Sequence, residues 1–301
     1  MGGRVFMIRE TKKLLRFEKA TEKRIDTLSR ESLYFSSASS FNDLFDVIVN
    51  KNQFEHQVFD MESLKLALEK LYLNFNRCDW PLNSQVLGCV SDWLNASEKY
   101  DDLDLGKGRV LSLRQKSSIE EDLISSISTV FEEAPICCFF ESKIEDPLMW
   151  AHYAQNHSGF CVEYELQTGI YNSYNISRGY EVLPVVYSTV KKPLEPLQFL
   201  LNPYQEAIHA LSTKSVNWSH ENEVRIVNTA GTIGNDLIPD GVSISKIYLG
   251  HRFSMINKEF LESILAVADK LKVELYVMAK NNTTMELEPT PWSKAKVILG
   301  L

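Results

Sequence analysis

The sequence predicts a mixed α/β fold, in which a partly antiparallel sheet forms the core and a helical insert or cap lies over it. Short apolar runs typical of strands alternate with helical stretches of uneven length, which favours mixed strand pairing. Residues 136–166 read as strand, short helix, strand. Between about residues 55 and 134, apolar residues recur at helical spacing instead. We therefore expect a single α/β domain over residues 1–301, with a helical insert at about 55–134.

The first part of the chain predicts strand, helix, strand and turn. Residues 14–17, with the sequence Leu-Leu-Arg-Phe, predict a short strand, and residues 33–36 predict another because they are rich in the aromatics that strands favour. Thr21 is a suitable N-cap for a helix over residues 21–30. The polar stretch at 39–46 predicts a turn, because asparagine and aspartate bond their own backbone.

The predicted insert contains three helical stretches, and the rest of the chain returns to alternating strands and helices. The helices of the insert fall at 61–75, 85–95 and 119–132, with a polar loop at 98–107. After residue 166 the patterns predict strands at 181–188, at 224–227 within the stretch 218–228, at 244–249 and at 273–278, and helices at 193–213 and 257–271. Residues 285–301 predict a last strand followed by an irregular end.

Charge and cysteine usage bound the class of protein. The net charge of −8, from 40 acidic and 32 basic residues, argues against a broad nucleic-acid or membrane footprint. No apolar run reaches the roughly 20 residues that a membrane helix needs. The five cysteines are odd in number and lack zinc spacing, which, with no signal peptide recognised, predicts a cytoplasmic protein with reduced thiols.

The first candidate site is the sequence Glu221-Asn222-Glu223-Val224-Arg225. Because strand side chains alternate between faces, Glu221, Glu223 and Arg225 would share one face, with the carboxylates about 6–7 Å apart. Such carboxylates can hold a ribose hydroxyl or stabilise an oxocarbenium-like centre. The alternative is a solvent-facing strand with surface ion pairs. The nearby Trp218 and His220 favour a partly enclosed face.

Two further groups carry polar side chains suited to binding. Asn42, Asp43 and Asp46 suggest either a divalent metal site or a turn that caps a helix; the calcium-loop spacing is absent, which favours the cap and no metal. Trp150 and Tyr153 are three residues apart and would lie on one helix face. They and His152, a potential acid or base, suit either a planar ligand ring or the core, and the core is the better interpretation for Trp150.

Several familiar catalytic patterns are missing from the sequence. There is no Gly-x-Ser-x-Gly elbow, and the cysteines have no histidine beside them in an exposed setting. There is also no Gly-x-Gly-x-x-Gly or Walker loop, and no His/Cys cluster with zinc spacing.

In their order along the chain, six motifs resemble a bacterial family known only as domain-of-unknown-function family 2971. The most specific are Phe-Asn-Asp-x-Phe-Asp at 41–46, Met-Trp-Ala-His-Tyr at 149–153 and Trp-x-x-Glu-x-Glu-x-Arg at 218–225; residues 33–36, 138–141 and 159–163 complete the set. The resemblance spans about residues 14–250. Leu44 and Phe140 stand where the family usually has proline and serine, so no catalytic role is carried over to Phe140.

The strand bearing Glu221 and Glu223 is also similar to the catalytic strand of ADP-ribosyltransferases. That similarity implies that Glu223 would hold the nicotinamide ribose of NAD and assist glycosidic cleavage. It further implies that Arg16 would contact the nicotinamide, with Tyr34 and Ser36 on the second motif strand. The chain has no Ser-Thr-Ser run, and its first histidine is His56.

Three functional hypotheses follow from the sequence. The leading one is an ADP-ribosyltransferase-like toxin or phage-defence effector, with NAD as substrate and no certain cofactor. The second is a non-enzymatic module that recognises a ligand or partner and passes a signal. A nucleotide is a possible ligand of the chain. The third is a metal-dependent hydrolase that uses Asp43, Asp46 and Glu221. The sequence does not identify a protein or nucleic-acid target.

Overall fold

The computed structural model describes residues 11–43, 46, 128, 131–168, 179–190, 203–229 and 233–299. Nearly all of the predicted helical insert at about 55–134 lies outside these residues. The described part combines helices with a large, mostly antiparallel sheet, which confirms the predicted α/β class. None of the described helices has the length and apolar character needed to cross a bilayer.

Twelve strands are present in the described ranges. They are β1 (Thr11–Glu18), β2 (Ser32–Ser37), β3 (Pro135–Phe140), β4 (Phe160–Gln167), β5 (Tyr180–Pro184), β6 (Val186–Ser188), β7 (Thr213–Ser215), β8 (Glu223–Asn228), β9 (Gly234–Leu237), β10 (Val242–Leu249), β11 (Glu274–Asn281) and β12 (Glu286–Pro291).

Six α-helices have bounds within the same ranges, and residues 128, 131 and 132 are also helical. The six helices are α1 (Glu22–Ser29), α2 (Pro147–Tyr153), α3 (Pro203–Ser212), α4 (Phe253–Ile256), α5 (Leu261–Leu271) and α6 (Trp292–Leu299). Short 3₁₀ helices cover Ala38–Ser40, Val216–Glu221 and Lys258–Phe260.

Ten of the strands form one sheet that branches at β3. The main path runs β12-β11-β10-β4-β1-β3-β2-β9, while β8 pairs with β3 and β5 pairs with β8. The pairings are antiparallel except that of β10 with β11. Strands β6 and β7 form a separate parallel pair. Because β3 contacts β1, β2 and β8, side chains from distant parts of the sequence meet around it.

Each face of the sheet buries its own apolar cluster. One cluster contains side chains of α1, α5 and alternate strand positions, such as Phe139 of β3 and Val224 of β8. The other contains Phe17, Phe140 and the α2 residue Trp150. At about 25 cal/mol per Å² of apolar surface removed from water, these two clusters are a main source of stability. The sheet therefore has two buried faces with different chemistry.

Local signals explain the elements that the sequence predicted well. The hydroxyl oxygen of Thr21 accepts a hydrogen bond from the Arg24 amide at the start of α1, as expected for an N-cap. Asp146 caps α2 in the same way, accepting from the Leu148 amide at 2.9 Å, and Pro147 occupies the first turn. The predicted strand, helix and strand over 136–166 are confirmed as β3, α2 and β4.

The second half of the chain differs from the predictions at four places. The predicted strand at 181–188 is divided between β5 and β6, which belong to different sheets. The predicted helix at 193–213 ends one residue early, since Thr213 begins β7; its beginning lies outside the described residues. The predicted helix from Asn257 begins only at Leu261, after a 3₁₀ turn. The end predicted to be irregular contains α6. The patterns missed β7 and β9, which are only three and four residues long.

Candidate functional site

Glu221 and Glu223 come together, but not as neighbours on one strand. Strand β8 begins at Glu223, whereas Glu221 ends a 3₁₀ helix. Asn222 between them takes a left-handed conformation, with φ of 46° and ψ of 56°, which separates the 3₁₀ helix from the strand. The prediction that both glutamates share one strand face is therefore wrong. Glu223 and Arg225 do share a face, while Val224 and Ile226 pack into the apolar cluster on the other side.

Lys214 joins the two carboxylates. Its ammonium nitrogen lies 2.7 Å from Oε2 of Glu221 and 2.8 Å from Oε2 of Glu223. Lys214 reaches this position because β7 follows α3 directly and runs beside β6. The close approach of the two glutamates therefore depends on a cation that shares neither a strand nor a motif with them.

Arg225 connects the glutamates to the N-terminal region. Its Nε donates to Oε1 of Glu223 at 2.8 Å, and one terminal nitrogen donates to Oδ2 of Asp46 at 2.5 Å. The other terminal nitrogen donates to the Leu211 carbonyl at 2.7 Å. These contacts define the charged network, which consists of Asp46, Lys214, Glu221, Glu223 and Arg225.

The charged network is withdrawn from water. Glu221 and Arg225 are fully buried, and the other three members are at most 5% exposed. An unpaired charge buried in this way would cost free energy, so each charged side chain of the network depends on its oppositely charged partners. Because β8 and β7 are fixed by their own pairings, the ionised groups are held in one geometry.

The two ends of the network titrate in opposite directions. Burial opposes ionisation of Glu223, but Arg225 and Lys214 together outweigh it and lower the pKa of Glu223 to about 2. Burial raises the pKa of Asp46 above its ordinary value, against the attraction of Arg225. Glu223 therefore stays ionised at neutral pH, and Asp46 takes up a proton more readily than Glu223.

Aromatic and imidazole rings lie beside the network and form what we call the aromatic rim: His152, Tyr153, Trp218 and His220. The Tyr153 hydroxyl donates to Oε1 of Glu221, which together with burial raises the pKa of Tyr153. The Lys214 ammonium lies 5.1 Å from the centroid of the Trp218 ring. The rings of His152 and His220 each lie 6.3 Å from that of Trp218. His152 and His220 are exposed, while Tyr153 and Trp218 are half-buried.

Trp150 does not belong to this rim. Its side chain is fully buried, its indole N–H donates to the Ile144 carbonyl at 2.7 Å, and its ring packs edge-on against Phe17. The core interpretation of Trp150 agrees with these contacts, and the suggested contact with a ligand does not.

Arg16 lies across the sheet from the network, contrary to the role suggested for it beside Glu223. Leu15 pairs with Phe140 and Phe140 with Glu223, so these three share a face and Arg16 points to the other. There its guanidinium contacts Cys137 and donates to Glu18 at 2.6 Å.

The remaining predicted site residues divide between the two regions. The Tyr34 carbonyl accepts from Arg16, and its ring lies 4.2 Å from the Lys23 ammonium, so Tyr34 belongs with Arg16. Ser36 is half-buried opposite Ile136 in the β2–β3 pairing. Asn42 is exposed and its side chain hydrogen-bonds Tyr153, which places Asn42 at the rim. Asp43 is buried.

The acids of the network do not form a metal site. Among the described residues, no group of three or more His, Cys, Asp or Glu side chains has an arrangement that could hold a metal ion. Lys214 and Arg225 occupy the space between the carboxylates that a cation would need. The hydrolase hypothesis built on Asp43, Asp46 and Glu221 therefore finds no support in this geometry.

Sequence reasoning missed Lys214, which holds the network together. It lies in Thr-Lys-Ser at the junction of a helix and a three-residue strand, and no motif distinguishes it from other lysines. A buried lysine is visible only once the elements are packed. The half-buried Cys138 hydrogen-bonds Glu223, and desolvation of its thiol raises the pKa of Cys138 well above the ordinary value.

The fold and the charged network together define an α/β protein with a buried polar centre at the junction of β7, β8 and α2. The family described as "Protein of unknown function (DUF2971)" matches residues 149–226, which confirms the resemblance to this family. That segment contains four of the five network members, Asp46 being outside it. The searches of curated proteins and of solved structures gave no significant match.

Proposed function

We propose that the chain binds a ligand of the nucleotide type, with its planar ring on the aromatic rim and the charged network beneath. The observation that carries this proposal is the position of Trp218, a half-buried indole between two exposed imidazoles and over the Lys214 ammonium. Flat bases and nicotinamide stack on such rings, and the stacking is worth about 1–3 kcal/mol per base.

The polar groups at the rim suit the sugar of such a ligand. The Tyr153 hydroxyl is held by Glu221, so its oxygen presents lone pairs in a defined direction. Asn42 is exposed next to Tyr153 and offers an amide that both donates and accepts. Together they provide the mixed donors and acceptors that a ribose diol needs.

The binding test compares two tryptophans. Titration calorimetry with NAD, ADP-ribose and ATP would measure the affinity of the wild type, Trp218→Ala and Trp292→Ala. Trp292 is the matched control because it begins α6, after the edge strand β12. We expect Trp218→Ala to weaken binding by about tenfold or more through lost stacking, and Trp292→Ala to leave it unchanged. Equal affinities for all three proteins, or no binding by the wild type, would contradict the proposal.

A second candidate is ADP-ribosyltransferase-like cleavage of NAD, as in a toxin or phage-defence effector. In that reaction the glycosidic C–N bond breaks and nicotinamide leaves with the bonding electrons. A carboxylate stabilises the oxocarbenium centre, and an acceptor then forms the new bond and loses a proton. The favouring observation is the pair of glutamates beside aromatic rings, of which Glu221 is held by Lys214 and by the rim residue Tyr153.

In this candidate the reactive role passes from Glu223 to Glu221. Both glutamates are buried and hydrogen-bonded through both oxygens, but Glu223 is held by the buried cations Arg225 and Lys214, whereas one oxygen of Glu221 is held by a neutral hydroxyl. Glu221 contacts Tyr153, whose ring is part of the rim, so a change at the rim can release this carboxylate toward a ligand. In this candidate Glu221 stabilises the ribosyl cation, and Glu223 positions Lys214.

The enzymatic candidate is tested by incubating the protein with NAD and a cell lysate and measuring the release of nicotinamide by chromatography. We expect release by the wild type and its loss in Glu221→Gln, which keeps the shape of the side chain but cannot carry its negative charge. Lys294→Gln, an exposed change on α6, is the control for handling and stability. No release by a folded wild type that binds NAD would leave binding alone as the function.

A further inference from the structure

We propose that the chain has a second ligand site, in which a cationic cavity binds the phosphate group of a small organic molecule. The cavity, of about 340 Å³, lies between the turn that follows α2, the start of α4 and the hairpin of β11 and β12. It shares no residue with the charged network or the aromatic rim. We call it the anion pocket, and its polar lining includes His157, His251, Arg252 and Lys280.

Positive charge is concentrated in the anion pocket although the protein carries a net charge of −8. Arg252 and Lys280 contribute positively charged side chains, and Glu286 is the one acidic residue in the lining. Among the ion pairs of the described residues, none involves Arg252 or Lys280. Because two cations and two imidazoles line this cavity against a single acid, its local potential is positive, which favours an anionic ligand.

The pKa of His157 is affected by the same positive charges. Burial first, and then the charges of Arg252, His251 and Lys280, lower the pKa of His157. These positively charged side chains repel one another, and the fold keeps them close together. A bound dianion would relieve that repulsion.

The turn that supplies His157 is built with unusual backbone geometry. Gln155, Asn156 and His157 all have positive φ, at 49°, 52° and 68°. Three consecutive non-glycine residues in the left-handed region are costly, and such strain is retained where the surrounding structure over-determines it, commonly at ligand sites.

Hydrogen bonds hold the backbone of this turn against the segment that carries His251 and Arg252. The His157 amide donates to the Trp150 carbonyl at 3.1 Å, and the His157 carbonyl accepts from the Arg252 amide at 2.9 Å. The Asn257 side chain donates to the Ser158 carbonyl at 2.7 Å. His157 and Arg252 are thus fixed relative to each other before any ligand arrives, which lowers the entropic cost of binding.

The shape and lining of the pocket indicate the class of ligand. Guanidinium, ammonium and imidazole groups are the side chains that bind phosphate, and a cavity of this size takes a small molecule. Leu287 and Met255 add apolar surface for an organic part. We therefore expect an organic monophosphate to bind more tightly than inorganic phosphate.

Titration calorimetry with phenyl phosphate and inorganic phosphate tests the proposal on the full chain. We expect the wild type to prefer phenyl phosphate, and Arg252→Gln and Lys280→Gln each to weaken its binding by about tenfold, as for loss of a charge-assisted hydrogen bond. Lys294→Gln, on α6 and outside the lining, should bind as the wild type does. Lys280 is itself exposed, so its variant keeps the test valid if Arg252→Gln fails to fold.

Three outcomes would overturn the proposal. The first is no phenyl phosphate binding by the wild type up to about 10 mM, which would leave no site of useful affinity. The second is equal weakening in Lys294→Gln, which would indicate general charge attraction. The third is tighter binding of a phosphopeptide or an oligonucleotide than of phenyl phosphate, since the ligand class would then be a macromolecule. Trp218 is outside the anion pocket, so the phenyl phosphate measurement can succeed or fail independently of nucleotide binding at the aromatic rim.

Discussion

Lys214 is the residue on which the charged network depends most. It is bonded to both glutamates and lies 3.9 Å from Asp46, so its removal would leave carboxylates facing one another in a buried space. Burial of the ammonium would lower its pKa, but the glutamates more than offset this and raise the pKa of Lys214. The lysine therefore stays charged, and its main role is to stabilise the buried carboxylates.

We expect Lys214→Met to lower the free energy of unfolding by about 3–5 kcal/mol, because the side chain has a similar volume but leaves buried carboxylates unpaired. Urea denaturation followed by circular dichroism would measure this. Lys294→Met, at an exposed position on α6, is the control and should change stability by less than about 0.5 kcal/mol. Wild-type stability in Lys214→Met would show that the network does not hold the fold.

The titration of Glu223 gives a second prediction at this scale. Its pKa falls from an ordinary value of 4.5 to about 2 in the folded protein. A carboxyl group with a depressed folded pKa stabilises the fold above its unfolded pKa, and that stabilisation is lost as pH falls through the folded value. We therefore expect the unfolding free energy of the wild type to fall between about pH 4.5 and pH 2.

Glu223→Gln is the comparison for this pH dependence. The variant lacks the titrating group, so it should be less stable than the wild type at pH 7, and the difference should shrink toward pH 2. Unfolding curves at pH 7, 4 and 2.5 would measure the difference. A constant difference across that range would mean that Glu223 does not titrate with a depressed pKa.

At the scale of elements, the contact between the turn after α2 and the end of β10 sets the shape of the anion pocket. Gly250 packs so closely there that an added Cβ would lie 2.3 Å from the His157 carbonyl oxygen and 2.9 Å from that of Gly159. Both neighbours are backbone atoms in a hydrogen-bonded turn, so neither can yield cheaply. The glycine is required by this approach and not by its own φ.

Gly250→Ala should therefore separate the two segments. We expect a loss of stability of about 1–3 kcal/mol from overpacking, together with weaker phenyl phosphate binding because His157 and Arg252 would move apart. Thermal unfolding and titration calorimetry measure the two effects. Ser254→Ala, on α4, is the control that should leave both unchanged, and unaltered ligand affinity in Gly250→Ala would show that the turn does not position the pocket.

The sequence predicted those elements that are encoded locally and missed the contacts that are not. Thr21 and Asp146 begin helices through bonds to their own neighbours, so a pattern is enough. The meeting of Glu221 with Glu223 depends on the left-handed Asn222 and on Lys214 from another strand, and neither is visible as a motif. The predicted position of Arg16 was wrong for a similar reason. The face of the sheet on which Arg16 lies is set by the register in which β1 pairs with β3 and β3 pairs with β8.

For the molecule as a whole, the branching of the sheet at β3 decides where stability is concentrated. β3 is paired on both sides and is buried on both faces, with Phe139 in one apolar cluster and Phe140 in the other. β9 and β12 each have one neighbour in the described sheet and carry exposed side chains, such as Leu237 at 69%. The centre and the edges of one sheet should therefore open with different free energies.

Hydrogen–deuterium exchange followed by mass spectrometry measures this difference directly. We expect peptides from β3, β4 and β8 to exchange slowest, through global unfolding, and peptides from β9 and β12 to exchange faster, through local opening. In Lys214→Met the protection of β8 should fall toward that of the edge strands, because the buried carboxylates lose their shared cation. The protection of β10 and β11 should change only as much as the global stability of the protein changes. Equal protection of β8 and β12 in the wild type would contradict a stable centre at β3.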